Sequence, residues 1–320
     1  MSQLTVAKNK FTQLCENLNE RDFEAFKGFL VDSLDLGCGH DHHHHHDEPT
    51  VDSAKTSKLD RIIDHLRSSV NVYAEAPEEN IVYPKEGKFD GYTNKNTIHV
   101  DGFLYSDDVL PEFQQSGAIP TSYCKDCNSK NISDLNFISH SFSTQDLDYV
   151  FSKHVLGRYN LTDLTIMDVG SRLGAVLYYA HLFTSTKKLI GVEINPFFAK
   201  LQQTTLNKFK MQNRVQIINE DFLTLSQTIN ECDILIMHNV FEWFCSQEEH
   251  KNVWYKLKNQ VLTKKGLKLL CCPPIGQSLS DAGIKDINID DWVKVIPLTS
   301  DDSVQIDAER QSDFCLYEIK

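Results

Sequence analysis

The residues most able to do chemistry begin with Asp168-Val-Gly170-Ser171-Arg172-Leu-Gly174, a glycine-spaced turn between two apolar runs. Such a turn leads a strand into a helix and holds a ligand against the helix start. A dinucleotide fingerprint spaces its glycines G-x-G-x-x-G, so that backbone can approach a pyrophosphate. Here the spacing is G-x-x-x-G, with Arg172 inside it. Asp168 also puts a negative charge where a helix N-terminus would otherwise favour an anion. The loop therefore suits a ligand without phosphate that carries positive charge, and S-adenosylmethionine, with its ammonium and sulfonium, is such a ligand. Two more acids follow at the ends of apolar runs, Glu193 in GVEIN and Asp221 in NEDF. A third run ends in His238-Asn239-Val240-Phe241-Glu242-Trp243-Phe244.

Taken in order, these four segments resemble the motifs of the seven-strand, Rossmann-like methyltransferases, over roughly residues 155–320. The resemblance implies S-adenosylmethionine as cofactor. It implies a cofactor loop of Asp168, Gly170, Ser171, Arg172 and Gly174. Glu193, with Ile194 beside it, would accept the ribose hydroxyls. Asp221 would meet the adenine amino group and Phe222 the adenine edge. The loop opened by His238 would border the transferred methyl. Methyl transfer is an in-line displacement, so positioning supplies most of the catalysis. Asn239 is the candidate to hold the acceptor through its amide oxygen. Phe241 and Trp243 are candidates to exclude water and favour a cation, and Glu242 to orient or deprotonate the nucleophile. Each has a plainer alternative: core packing for the aromatics, a solvated or salt-bridged acid for Glu242, a helix cap for Asp221.

The loop lacks the Asn-Pro-Pro-aromatic sequence of the adenine-N6 and glutamine methyltransferases, which argues against an amide or a base amine as acceptor. A fainter similarity to the non-SET histone-lysine methyltransferases lies in GVE and the asparagine of the fourth loop. The expected function is methylation of a protein side-chain nitrogen. A small-molecule acceptor is one alternative; a partner-binding protein of the same fold without catalysis is another.

The elements that must position these residues alternate. LTIMDV reads as a strand and AVLYYAHLF as a helix. KKLIGVEIN is a second strand, and PFFAKLQQTTLNKF a helix opened by Pro196. VQIINEDF, CDILIMHNV and GLKLLCCPP continue the strands, with WVKVIPL and FCLYEIK as two more. Unalternated apolar strands between helices mean a doubly wound, mostly parallel seven-stranded sheet covered on both faces. Residues 155–320 form this domain. Residues 1–72 read as a helical accessory region, with helices around Phe11–Leu18, Phe23–Leu34 and Leu59–Val70. It is interrupted by a polar loop over residues 38–57 that holds the histidine run 42–46. That loop reads as disordered surface chain, since a homopolymer chelates metal without fixed geometry. Residues 73–154 read as an irregular, partly β accessory region. Cys124 and Cys127 there have zinc-knuckle spacing, and His99 or His140 could complete a site. One such pair is only half a tetrahedral site, so no metal is expected and reduced thiols are the preferred reading.

The net charge of −13 is uneven: residues 1–156 hold 25 acids and 14 bases, residues 157–320 hold 20 and 18. No basic stripe for a phosphate backbone is visible, so nucleic acid is a disfavoured partner. The acidic N-terminal region is a candidate docking surface. With no apolar run near the ~20 residues of a bilayer span, no signal-peptide core and nine cysteines without a framework, a soluble cytoplasmic protein, also admissible in the nucleus, is expected.

Overall fold

The computed structural model describes residues 51–85, 87–125, 132–299 and 306–320. The two helices expected before residue 50, the histidine run and Cys127 lie outside these residues. In chain order the accessory elements are α1 (Val51–Arg67), β1 (Thr97–His99), α2 (Leu110–Ser116), β2 (Tyr123–Cys124), β3 (Ile132–Ser133), β4 (Asn136–Ile138) and α3 (Thr144–Val150). The sheet elements are β5 (Thr165–Val169), α4 (Ala175–Phe183), β6 (Lys188–Val192), α5 (Pro196–Phe209), β7 (Val215–Ile218), α6 (Ser226–Asn230), β8 (Ile234–His238), α7 (Gln247–Lys256), β9 (Lys268–Cys272), α8 (Ile275–Asp281), β10 (Val293–Ile296) and β11 (Cys315–Ile319).

The seven strands lie in the order β10-β11-β9-β8-β5-β6-β7. The pairs β5–β6, β5–β8, β6–β7 and β8–β9 are parallel, and only β11 runs antiparallel, wedged between β9 and β10. The expected mostly parallel seven-stranded sheet is present. Chain order reverses at β5, whose neighbours are β6 on one side and β8 on the other. A crevice outside the carboxyl ends of the strands at such a reversal is where open α/β sheets bind ligands. The loops holding Asp168 to Gly174, Glu193 and His238 to Phe244 all emerge at that end.

Helix α1 places Leu59, Ile62, Ile63 and Leu66 on one buried face, packed on α4 and α5. Burial of each contributes about 1.5–3 kcal/mol, so the accessory helix is part of the core. It begins at Val51 and takes residues 51–57 from the expected loop. Asp52 explains this start: its carboxylate pairs with Lys55 at 3.7 Å in the first turn, where an acid complements the helix dipole. Helix α3 was not anticipated from the sequence. It is short, and Ser143 and Asp146 close a reciprocal capping box, with Asp146 N donating to Ser143 Oγ (3.1 Å) and Ser143 N to Asp146 Oδ2 (3.0 Å). No described helix is long and apolar enough to cross a membrane.

Candidate cofactor and acceptor site

The loop after β5 turns through the left-handed region three times, at Gly170 (φ +68°), Arg172 (φ +44°) and Gly174 (φ +86°). A Cβ on Gly174 would lie 2.7 Å from the Tyr178 ring, so glycine is required there for space as well as conformation. Arg172 has no such freedom, and an L-residue in this region costs on the order of 1–2 kcal/mol. Its side chain offsets the cost. The buried guanidinium pairs with both oxygens of Glu79, donates to Ala74 O (2.8 Å) and lies 4.5 Å over the Phe198 ring. Arg172 therefore clamps the loop to the accessory chain. Its side chain is committed away from a ligand, and its contribution to the site is the backbone amide, which donates to Glu193 Oε2 (2.8 Å). Ser171 is likewise committed: its hydroxyl donates to Gln202 Oε1 (2.9 Å), while Gln202 Nε2 donates to Arg172 O (2.8 Å). Gln202 was not singled out in the sequence. The signal was a polar residue at i+4 from Phe198 and i−4 from Leu206, on the buried face of α5.

Glu193 is 6% exposed just past β6, and Asn195 N donates to its other oxygen, Oε1 (2.7 Å). Burial pushes its carboxyl up, and the two amides and the Arg172 charge pull it partly back. Each oxygen keeps a lone pair for a further donor. Asp168 is buried in the central strand, and among the described residues no group donates to its carboxyl. Burial first, then the Glu193 charge, raise it well above the usual carboxylate range. Beside Asp168 is a void of about 20 Å³, also lined by His140 and His238.

Glu193, Ile194, Asp221, Phe222, Gly170 and Arg172 line one cleft of about 610 Å³ at the carboxyl end of the sheet. Asp221 caps a short turn, accepting from Leu223 N through Oδ1 (2.9 Å), and also faces the cleft. Ile194 is 68% exposed at this cleft.

The loop after β8 divides. His238 stacks on Phe142 at 3.9 Å and stays neutral, its pKa lowered to about 3 by burial and then by the Arg310 charge. Asn239 adopts φ +47°; its backbone amide is held by Cys272 O (2.9 Å), and its Nδ2 donates to Ser139 O (3.3 Å). Oδ1 is left without a partner among the described residues. Phe241 lines the cleft and stacks on Phe222 at 5.7 Å. Glu242 and Trp243 do not reach the cleft. Glu242 is buried on the other side of the loop, accepting from Ser278 Oγ (2.6 Å) and Phe241 N (3.1 Å), beside His250 and Trp254. Trp243 is fully buried among Tyr83, Phe89 and His99. The left-handed turn at Asn239 redirects the chain, so both catalytic assignments are replaced by structural ones. Phe244 lines the cleft instead.

His99 Nδ1 and His140 Nε2 hydrogen-bond to each other at 2.9 Å, Cys124 is exposed on β2, and no metal-binding group occurs among the described residues.

His238 and Asn239 also wall a second cavity of about 440 Å³. Its cations are already matched: Arg310 pairs with both oxygens of Asp146 (2.9 Å each) and Lys88 with Asp313 (3.1 Å). Asp107, Asp281 and Asp307 line the same cavity, and no ion pair reaches them among the described residues. This cavity is acidic.

No family model matches the chain, and no curated protein matches it. Solved structures do. An RNA methyltransferase from Salinibacter ruber in complex with S-adenosyl-L-homocysteine is 13% identical, covering 55% of this chain and 90% of that one at a TM-score of 0.34. An O-methyltransferase from Bacillus cereus is 11% identical, covering 68% and 92% at 0.36. A B. subtilis tRNA methyltransferase is 13% identical, covering 57% and 66% at 0.35. Likeness this remote carries no argument about chemistry, and the fold is established by strand order and connectivity. Residues 165–319 hold a doubly wound, mostly parallel seven-stranded α/β sheet.

Proposed function

We propose that the cleft binds S-adenosylmethionine and that the protein transfers its methyl group to a side-chain nitrogen of a protein. The observation that carries this reading is the pair of buried carboxylates, Asp168 and Glu193, at the reversal point of the sheet. Among the described residues no group donates to Asp168, and Glu193 is fixed by two amides with lone pairs to spare. Such a pair suits a ligand with a cation at one end and a vicinal diol further along. Bound there, S-adenosylmethionine supplies an electrophilic methyl on a sulfonium sulfur. Glu193 would hold the ribose hydroxyls, Asp221 the adenine amino group through its free oxygen, and Ile194 and Phe222 the flat faces of the base. Asn239 stands between the cleft and the acidic cavity, with Oδ1 free to accept from the acceptor's N–H.

The acidic cavity supports a nitrogen acceptor that is cationic in water, as a lysine or arginine side chain is. A small-molecule amine is a second reading, favoured by the cavity walls that Gly102, Phe137 and Ser139 contribute from the accessory region. Incubation of the protein with tritiated S-adenosylmethionine and cell extract, followed by sorting of the label, tests both. Label in protein is expected, and label confined to small molecules would favour the second reading. Tight binding without label in any fraction would point to a partner-binding protein that has lost catalysis.

A further inference from the structure

Methylation of an N–H acceptor leaves one proton to dispose of. A nitrogen that is protonated in water must give up one proton before its lone pair can attack; the new N–C bond then forms as the C–S bond breaks, and the bonding pair stays on sulfur. Arg172 is a committed cation with no lone pair to offer, His238 is packed face-on against Phe142, and Glu193 and Asp221 are assigned to the cofactor.

His140 is free to take the proton. It is 7% exposed, lines the cleft, and its Nδ1 is buried without any partner. An orphaned imidazole nitrogen in a folded protein asks for an explanation. The opposite ring nitrogen, Nε2, shares a hydrogen bond of 2.9 Å with His99 Nδ1. The two rings are within 11° of parallel, and 2.9 Å between nitrogens is too close for face-to-face stacking, so the rings meet edge to edge along the hydrogen bond. His99 Nε2 in turn lies 3.3 Å from the Tyr83 hydroxyl. Tyr83 also lines a separate cavity of about 330 Å³. An unbroken chain of three side chains thus joins the cleft to a second opening.

We propose that His140, His99 and Tyr83 form a proton relay out of the cleft; the inference rests on the methyltransferase reading above. In the starting arrangement each imidazole carries its hydrogen on Nε2. His140 Nε2–H donates to His99 Nδ1, His99 Nε2–H donates to the Tyr83 oxygen, and the Tyr83 hydroxyl donates to water in the outer cavity. The released proton adds to His140 Nδ1. The Nε2 proton of His140 moves to His99 Nδ1, that of His99 Nε2 to Tyr83, and the Tyr83 proton to water. One proton enters and one leaves, and both rings end neutral as the opposite tautomer. The chain resets when product departs: water in the opened cleft takes the Nδ1 proton of His140 while the others step back, from His99 Nδ1 to His140 Nε2, from Tyr83 to His99 Nε2, and from outer water to Tyr83.

The relay needs rings that are neutral at rest, each with one N–H and one lone pair. Burial, followed by the charge of Arg172, lowers His99 to about 4; His140 is lowered well below its ordinary value by burial, Arg172, His99 and His238 in turn. Glu79 opposes this at His99 and is outweighed. A proton therefore passes through the chain without resting on it. Trp243 packs edge-on against Tyr83 and His99 and holds the rings in line, which accounts for its complete burial.

Tyr83→Phe tests the relay, since it removes only the terminal hydroxyl and keeps the ring packing. Two-bond proton–nitrogen spectra of histidine-labelled protein report the tautomer of each ring without any acceptor. In wild type His99 and His140 are expected as neutral single tautomers of the same sense. In Tyr83→Phe the tautomer ratio at His140 should shift, although residue 83 does not touch it. Labelling of extract from tritiated S-adenosylmethionine should fall about tenfold, with cofactor affinity within twofold of wild type. An unchanged His140 tautomer, or an unchanged labelling rate, overturns the relay. Calorimetry on the wild type keeps the two ideas apart: no binding of S-adenosylmethionine removes the methyltransferase reading itself, whereas binding without tautomer coupling removes only the relay.

Discussion

Two buried glutamates stand just past the strands that flank β5, and they behave differently. Glu193 follows β6 directly and is held by two backbone amides, each taking one oxygen and leaving lone pairs toward the cleft. Glu242 lies four residues beyond β8 and is 8% exposed, yet its partners are a serine hydroxyl and an amide on the core side, near a neutral histidine. The sheet delivers both to the same end of the molecule. What separates them is the turn between strand and acid. At Glu193 the chain has only just left β6. At Asn239 it passes through the left-handed region and carries Glu242 and Trp243 back into the protein. A carboxylate's role is therefore set by which donors the backbone has already placed around it.

The largest expected effect is at the clamp that shapes the Glu193 side. Arg172→Met should lower unfolding stability by about 3–5 kcal/mol, because Glu79 is left as a buried, unpaired charge. Chemical denaturation measures it, and the double variant with Glu79→Gln should recover part of the loss. The two glutamates should then part company. Glu193→Ala should weaken S-adenosylmethionine binding by about 2–4 kcal/mol, as charge-assisted hydrogen bonds are lost. Glu242→Ala should leave affinity alone and cost about 2–3 kcal/mol of stability, since Ser278 and the Phe241 amide lose their acceptor. Equal affinity losses in the two variants would erase the distinction.

Asn239→Ala should reduce turnover by about 10²-fold, the effect of one preorganised polar contact, with cofactor affinity nearly intact. Full turnover would make the loop mere packing.

The smallest effect is a fraction of a proton. The raised pKa of Asp168 means that the folded protein favours its protonated form, so the stability this gives is present at low pH and is lost as pH rises through the raised value. A cationic ligand favours the carboxylate, so binding should release up to about one proton and tighten as pH rises. His99, His140 and His238 are already neutral near pH 7 and take no part. Calorimetry in two buffers of different ionisation enthalpy reads the release, and proton uptake would contradict it.

The strands and the helices Ala175–Phe183 and Pro196–Phe209 were legible in the sequence because apolar runs and periodicity report burial directly. The acids at strand ends were legible for the same reason. Side-chain direction within loops was not, since it depends on single dihedrals such as those of Arg172 and Asn239 that no local pattern specifies for a non-glycine residue. Contacts made across long separations were equally hidden. Nothing in the neighbourhood of Glu79 announces Arg172, and the pairing of His99 with His140 depends on β1 lying parallel to β4. The histidines named as able to complete a zinc site are partners of each other.

The account turns on what the cleft between β5, β6 and β8 binds. Titration calorimetry of the wild-type protein with S-adenosylmethionine, and separately with NAD, asks this directly. One equivalent of S-adenosylmethionine should bind and NAD should give no heat of binding, because Arg172 stands in the turn where a pyrophosphate needs a second glycine. Binding of NAD, with none of S-adenosylmethionine, would contradict the account.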